Sequence, residues 1–547
     1  MRTRLSEAVT ILDNQAGFRQ KCSTVDQVFI LRNLINMYQE KKMPLYCAFV
    51  DFQKAFDTVW RQALWLKLIK HGVEGKVFRI IHNMYESIKS CVHNEGNSSA
   101  FFSSKTGVRQ GGNVSPLLFS IYLNDVEQYL TENGCTNIDF GRDEQLCTML
   151  KLFVLLYADD MVLIADSPAK LQSSLDVLES YCDLWKLKVN VDKTKVVIFR
   201  KRKTKNQPIF RYKGKELEIT KDFKYLGVTL SSTGSFAAHK KNVCEQATKA
   251  MHAVLRRGRA LHLPLDIMFN LFYTMVSPIL LNACEVWGTD NLDIIERVHL
   301  KFCKHVLRLK PSTPNYMVYG ETGRFPLEIT VKIRMLSYWC KLVSGQCSKL
   351  ASKMYGVLVE RHRNNSLNIT WITFMEQLFN DTGFSETFRN HEFSSDDWIK
   401  AAMSLRLRDQ YIQKWNQTVQ TSPKATLYRV YKETWGFEQY LLELPTVLRI
   451  SMCKYRTSNH RLAIEKLRYI NVPREHRTCH MCNSNQLGDE FHFLLTCQKL
   501  SRIRSQYLPM YYRTRPNVIK FQQIMTNPDK KTLLNLAKFI KIGLQQT

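Results

Sequence analysis

Three carboxylates and one cysteine/histidine cluster are the residues whose types and spacing could do chemistry. Asp51 closes an apolar run from Leu45 to Val50, and the adjacent pair Asp159 and Asp160 follows Tyr157-Ala158 between the apolar runs Leu152 to Leu156 and Met161 to Ala165. Adjacent acids beside apolar segments repel each other and resist desolvation, and a divalent cation relieves both costs. Hard oxygen donors suit Mg²⁺. Two such ions, held roughly 3.5 to 4 Å apart, activate an attacking hydroxyl and stabilise a leaving oxygen, which is phosphoryl or nucleotidyl transfer. The plain alternative is that Asp159 and Asp160 are turn residues only. Near the other end, Cys479-x2-Cys482-x9-His492-x4-Cys497 offers three thiolates and an imidazole to one tetrahedral Zn²⁺, which four filled positions would make structural. His476 and His480 are substitutes for His492, which Phe491, Phe493 and Leu494 favour by packing around it; unrelated cysteines are the alternative in a chain with 15 of them.

The elements that must position the carboxylates read as an α+β unit over residues 1–232. Leu45 to Val50 is a strand, and the runs flanking Asp159 and Asp160 form a hairpin with the two acids at its tip. Leu171, Leu175, Leu178, Cys182 and Trp185 recur at helical spacing as a core stripe, followed by a strand at Val196 to Phe199. Turns fall at Gly107 to Gly112 and at Gly227. Arg200 to Lys215 carries eight basic and no acidic residues, a phosphate-binding stretch or a solvated loop. Residues 233–310 are mainly helical and basic, with Lys240, Lys241, Lys249, Arg256, Arg257 and Arg259. Residues 311–440 connect as a helical region of unknown role, and 441–547 form a basic C-terminal region around the Cys/His cluster.

Lysine and arginine number 78 against 49 acids, a net charge of +29, and nucleic acid is the partner that such an excess favours. No apolar run is long enough to span a bilayer and no secretory signal opens the chain. The expectation is a protein without membrane attachment, intracellular in nucleus or cytoplasm as a ribonucleoprotein, with reduced thiols rather than a disulfide framework. Nothing sets an oligomeric state.

In order along the chain, Phe49-Val50-Asp51-Phe52-Gln53-Lys54-Ala55-Phe56-Asp57, Gly107-Val108-Arg109-Gln110-Gly111-Gly112-Asn113-Val114-Ser115-Pro116-Leu117-Leu118-Phe119 and Tyr157-Ala158-Asp159-Asp160 resemble the conserved blocks of reverse transcriptases, particularly those of non-LTR (LINE-type) retrotransposons. Asn190 to Thr194, the primer-grip turn Tyr225-Leu226-Gly227 and the upstream Gln15-Ala16-Gly17-Phe18-Arg19 are similar too, as is Ser277 to Leu281 through Glu285 to Gly288. The resemblance implies a right-hand polymerase: fingers and palm with an antiparallel sheet over 1–232, a helical thumb over 233–310, and a mostly α C-terminal region with a small zinc knuckle of the kind these elements associate with nucleic acid. It implies that Asp51, Asp159 and Asp160 hold two Mg²⁺ ions and that a primer 3′-hydroxyl attacks a deoxynucleoside triphosphate on an RNA template. Phe56 would lie under the incoming sugar and exclude a ribose 2′-hydroxyl, unless it is only a core aromatic. Arg109, Gln110 and Gly111 would face nucleotide and template, with glycine permitting close backbone approach. Lys193 is the candidate proton donor to pyrophosphate, with Lys195 close by and a plain surface lysine the alternative.

The resemblance also implies an endonuclease domain and an earlier fingers segment, neither of which is read here, so a truncated copy is expected. Two rivals follow: a degenerate retrotransposon-derived protein that only binds RNA or DNA, and a nuclease using the same acids. The Arg109-Gln110-Gly111 block, which a nuclease does not need, disfavours the second.

Overall fold

In this computed structural model the described residues are 2–136, 138, 154–201, 207–364, 370–482 and 484–547. Leu152 and Phe153 of the expected hairpin, and positions 202–206 of the basic tract, lie outside them.

The centre of the first unit is a mixed sheet. Strand β1 is Leu45–Val50, β2 Val154–Tyr157, β3 Asp160–Ala165, β4 Lys195–Phe199 and β5 Glu218–Ile219, arranged in the order β5-β4-β1-β3-β2. All neighbours run antiparallel except β5 beside β4. Every residue of β1 is buried, because both faces of the sheet are covered. On one face Tyr46, Ala48 and Val50 join a core with Leu163, Leu171, Leu175 and Leu178; on the other, Phe49 stacks on Phe223 at 4.3 Å. That double burial is why the strand reads as an unbroken apolar run.

Helix α1, Thr24–Glu40, starts at a capping box in which Ser23 and Asp26 satisfy each other's backbone N–H groups. Helix α2, Ser115–Tyr122, leads away from the Gly107 to Gly112 turn, and helix α3, Pro168–Leu184, is capped by Ser167 and lays Leu171, Leu175, Leu178 and Cys182 into the core. Trp185, the last residue of the expected stripe, lies just past its end.

The chain forms two compact units, neither continuous in sequence. The first takes Met1–His239, Asn282–Asp290 and Arg334–Asp396; the second takes Lys240–Leu281, Asn291–Ile333 and Asp397–Thr547. These do not coincide with the four consecutive segments expected from composition and periodicity, which follow chain order and cannot register a segment that returns. Residues 334–396 return to cover α1: Tyr338 donates to Asp26 at 3.0 Å, and the Trp371 ring meets Phe29 at 5.1 Å. Burial of Asp26 in this contact raises its carboxyl above the ordinary range.

The second unit is helical among its described residues. It includes α4, Ala237–Ala260, which begins in the first unit, then α5, Asp293–Val306, and α6, Thr446–Arg456. At its heart Arg456 pairs with Glu321 at 2.8 Å and Glu438 at 2.8 Å, between the Tyr431 and Tyr440 rings. The pairing is what a fully buried guanidinium requires. No disulfide links the described cysteines, and none of the described helices is long and apolar enough to cross a membrane.

Candidate polymerase centre and cysteine/histidine cluster

Register brings the acids to one end of the sheet. Val50 of β1 pairs with Met161 of β3, so Asp51 emerges level with Asp160. Tyr157 pairs with Asp160 across a two-residue turn of Ala158 and Asp159. Ala158 holds φ 58, the left-handed conformation that tight hairpin turns require and that costs an alanine about 1–2 kcal/mol. The Asp51 backbone is held by Thr194, whose Oγ1 accepts its N–H at 3.2 Å, and by Asn190, which donates to its carbonyl at 2.7 Å.

A cleft of about 520 Å³ opens over this end, lined by Asp51, Asp160, Asp192, Lys193, Tyr225 and others. Asp159 sits in the turn beside it. Burial against the protein, then the Asp159 and Asp51 carboxylates, push the Asp160 carboxyl up to about 6. Its side chain keeps an exposed face, so solvent moderates the effect. The crowding fits a divalent cation: three hard donors at one sheet end, one of them raised by its neighbours.

Lys193 Nζ stands 4.0 Å from Asp51 Oδ2 and is 71% exposed, whereas Lys195 is held by Glu218 at 2.6 Å. Tyr225 is buried under the cleft against Phe49, and the Leu226-Gly227 turn after it carries φ 46 and 87, a two-residue hairpin loop with both positions left-handed. A Cβ on Gly227 would stand 2.9 Å from Asn282 Nδ2, whose amide also donates to the Gly227 carbonyl.

The Gly107 to Gly112 turn is tied to the segment after Asp51. Val108 donates to the Phe56 carbonyl at 2.7 Å, Gly107 has φ 82 with a Cβ position only 2.6 Å from the Asp57 carbonyl oxygen, and Gln110 donates to Asp57 at 3.0 Å. Gly111, at φ 82, is exposed with open space around it, while Arg109 donates to the Met84 carbonyl at 3.1 Å. Phe56 is half-buried, stacked on Phe119 of α2 at 4.9 Å and met edge-on by Phe18 at 6.5 Å. It thus packs as a core aromatic on one side.

Two supports escaped the sequence reading. Arg61, buried, donates to the carbonyls of Tyr85, Ser104, Thr106 and Gly107 and so holds the loop ahead of the turn. Gln15 lies behind the acid turn: Ala16 donates to the Leu156 carbonyl, Leu156 to that of Asn14, and the Gln15 amide bonds Ala158. The signal for Gln15 was the Gln-Ala-Gly-Phe-Arg block, which carries no mark of what it contacts; Arg61 lies in no block that the sequence singled out.

In the second unit, Cys479, Cys482, His492 and Cys497 are all buried with their ligand atoms together; His476 and His480 are exposed. Cys479 is fixed by its N–H to the Gln486 carbonyl at 2.8 Å. His492 Nδ1 faces Gln486 Oε1 at 2.9 Å, which turns Nε2, 3.3 Å from Cys482 Sγ, toward the thiols as the nitrogen that could coordinate a metal. Burial pushes the Cys482 thiol up, but hydrogen bonds from Ser484, Cys479 and Cys497 outweigh it and bring the thiol down to about 7. Three sulfurs and one imidazole suit Zn²⁺. Of the arginines that flank this cluster in sequence, Arg504 is buried and donates to the Leu494 and Cys497 carbonyls, Arg477 to that of Val472, and Arg474 to Thr426. Arg502 is exposed. The basic tract is partly neutralised as well, with Lys201 on Glu40 and Lys213 on Asp183.

In the first unit the sheet presents paired carboxylates at a hairpin tip, level with a third that follows the adjacent strand and flanked by a glycine turn. Residues 1–230 match the family described as "Reverse transcriptase (RNA-dependent DNA polymerase)". Over 332 residues the chain is 29% identical to a probable RNA-directed DNA polymerase from transposon BS of Drosophila melanogaster, covering 58% of this chain and 34% of that protein. It is 28% identical to the RNA-directed DNA polymerase from mobile element jockey of Drosophila funebris, covering 57% and 33%, and 25% identical to the retrovirus-related Pol polyprotein from the R2DM element of Drosophila melanogaster, covering 42% and 22%. The match therefore spans about a third of the length of the first two relatives. Among solved structures, apo telomerase from Candida tropicalis is similar at a TM-score of 0.32 and 12% identity over 73% of this chain and 59% of that one, too low to bear on the fold.

Proposed function

We propose that this chain is an RNA-directed DNA polymerase of a non-LTR retrotransposon, adding deoxynucleotides to a primer 3′-hydroxyl on an RNA template. The observation that carries the reading is the register of Asp51 with Asp160 at the lip of the cleft, next to Asp159 in its two-residue turn. Asp51, Asp159 and Asp160 are the residues that would hold two Mg²⁺ ions, which when bound supply charge neutralisation and activation of the primer hydroxyl. The protein's own part is positioning: the primer end lies over Tyr225-Leu226-Gly227, the base pair against Gln110 and Gly111, with Arg109 beside them. The sugar lies on the free side of Phe56, where the ring leaves no room for a 2′-hydroxyl. Attack on the α-phosphate expels pyrophosphate, and the exposed Lys193 ammonium, held near Asp51, gives that leaving group its proton.

In this reading fingers and palm occupy 1–232, the thumb 233–310 and a connecting region 311–440, and the C-terminal region 441–547 is organised by one structural Zn²⁺ on Cys479, Cys482, His492 and Cys497. Partners are the RNA template, the DNA primer or target and deoxynucleoside triphosphates. The working compartment is the nucleus or cytoplasm, within a ribonucleoprotein. In the second unit a pocket of about 300 Å³, lined by Arg259, His262, His305, Arg308 and Arg449 with Leu255 and Met268 beneath them, supplies positive charge for a phosphate backbone.

The test is extension of a labelled primer on an RNA template with Mg²⁺ and deoxynucleotides. Template-dependent product establishes the polymerase. Template binding without extension makes the chain a degenerate binder, and metal-dependent cleavage without nucleotides makes it a nuclease.

A further inference from the structure

Gln15 is 1% exposed and lies directly behind the turn that presents the acid pair. Its Oε1 accepts the N–H of Ala158 at 3.0 Å and of Gly17 at 2.9 Å, and its Nε2 donates to the Ala158 carbonyl at 3.4 Å. One side-chain amide therefore engages both backbone groups of a single residue. That residue is the one forced to φ 58, a conformation that glycine takes freely and alanine does not. Contact around it is close: a Cβ at Gly17 would stand 2.2 Å from the Ala158 nitrogen. The loop leading to Gln15 has its own closure, because the Arg19 guanidinium donates to the Leu12 and Gln15 carbonyls at 2.6 and 2.9 Å. The Gln15 side chain is thus spent on the turn.

We propose that Gln15 is a positioning residue for the carboxylate pair: by clamping Ala158 in its left-handed conformation, it sets the direction in which Asp159 and Asp160 face a divalent cation. The proposal rests on the reading of those acids as the metal site. Without the clamp, Ala158 relaxes toward negative φ, the turn reorients, and Asp159 moves from its metal-holding direction.

Two variants of the full chain test this. Gln15→Met keeps the volume and loses all three bonds; Gln15→Glu keeps acceptors for Ala158 and Gly17 but loses the donor. In primer extension, the Mg²⁺ concentration for half-maximal rate should rise about threefold to tenfold in Gln15→Met and less in Gln15→Glu, with kcat falling while the KM for nucleotide stays near wild type. Adding Ala158→Gly to Gln15→Met should restore much of the metal response, since glycine holds φ 58 unaided. A lowered Tm with an unchanged Mg²⁺ response and no rescue by glycine would make Gln15 merely structural and overturn the proposal. Thermal stabilisation by Mn²⁺ in the absence of nucleotides separates this from the polymerase reading. If wild type never extends a primer, a smaller Mn²⁺-induced rise in Tm for Gln15→Met than for wild type still supports the clamp, and equal rises refute it.

Discussion

At the scale of single residues, charge and shape at the cleft make two predictions. Asp160 is raised to about 6 from an unfolded value near 3.8. A carboxyl raised by folding binds its proton more tightly in the native state, so its ionisation costs stability as pH climbs from about 4 through 6, and that cost persists above. Asp160→Asn should therefore raise Tm by a few degrees at pH 7.5 without divalent metal and leave it nearly unchanged at pH 4. A scan at both pH values reads this, and an equal shift at both would contradict it. Activity runs the other way, because a metal competes with that proton, so the rate should rise as pH passes through about 6. Phe56 makes the second prediction. Phe56→Val opens the face away from Phe119, and incorporation of ribonucleotides relative to deoxynucleotides should rise by about tenfold or more. An unchanged ratio with reduced stability would show that stacking on Phe119 is its only role.

At the scale of elements, much was legible in the sequence. The runs at Leu45 to Val50 and Met161 to Ala165 and the helical stripe from Leu171 became the expected strands and helix, because double burial and helical spacing write themselves in apolar residues. Three cysteines and a histidine at metal-ligand spacing likewise announced a cluster that the fold gathers. Three things were not legible. The Gln15 clamp works through backbone atoms, for which side-chain chemistry leaves no pattern. The return of residues 334–396 onto α1 depends on single contacts such as Tyr338 to Asp26. The burial of Arg504, whose guanidinium donates to the Cys497 carbonyl, has no mark in the sequence around it. The Cys/His element carries its own prediction: the chain should hold one Zn²⁺ by metal analysis, and Cys482→Ser or a strong chelator should remove it and lower the unfolding temperature of the second unit by several degrees, because ligation is folding free energy there. Full stability in a metal-free chain would sink the zinc assignment.

At the scale of the whole molecule, the charge of +29 decides how the protein meets its substrate. Lys201, Lys213 and Arg456 are paired with acids already counted in that net, whereas Arg256, Arg257 and Arg259 on α4 are exposed. Engagement of five or more phosphates should make log affinity for a primer–template duplex fall with log salt at a slope of about −4 or steeper. A slope shallower than about −2 would mean that the basic surface does not carry the binding. The central claim, that the sheet end bearing Asp51, Asp159 and Asp160 is where DNA is made on RNA, is tested most directly by primer extension on an RNA template. Wild type and Asp159→Ala should be compared at equal template binding. The account predicts Mg²⁺-dependent extension by wild type and a loss of at least about a hundredfold in the variant. Extension that survives Asp159→Ala would place the chemistry elsewhere and contradict the account.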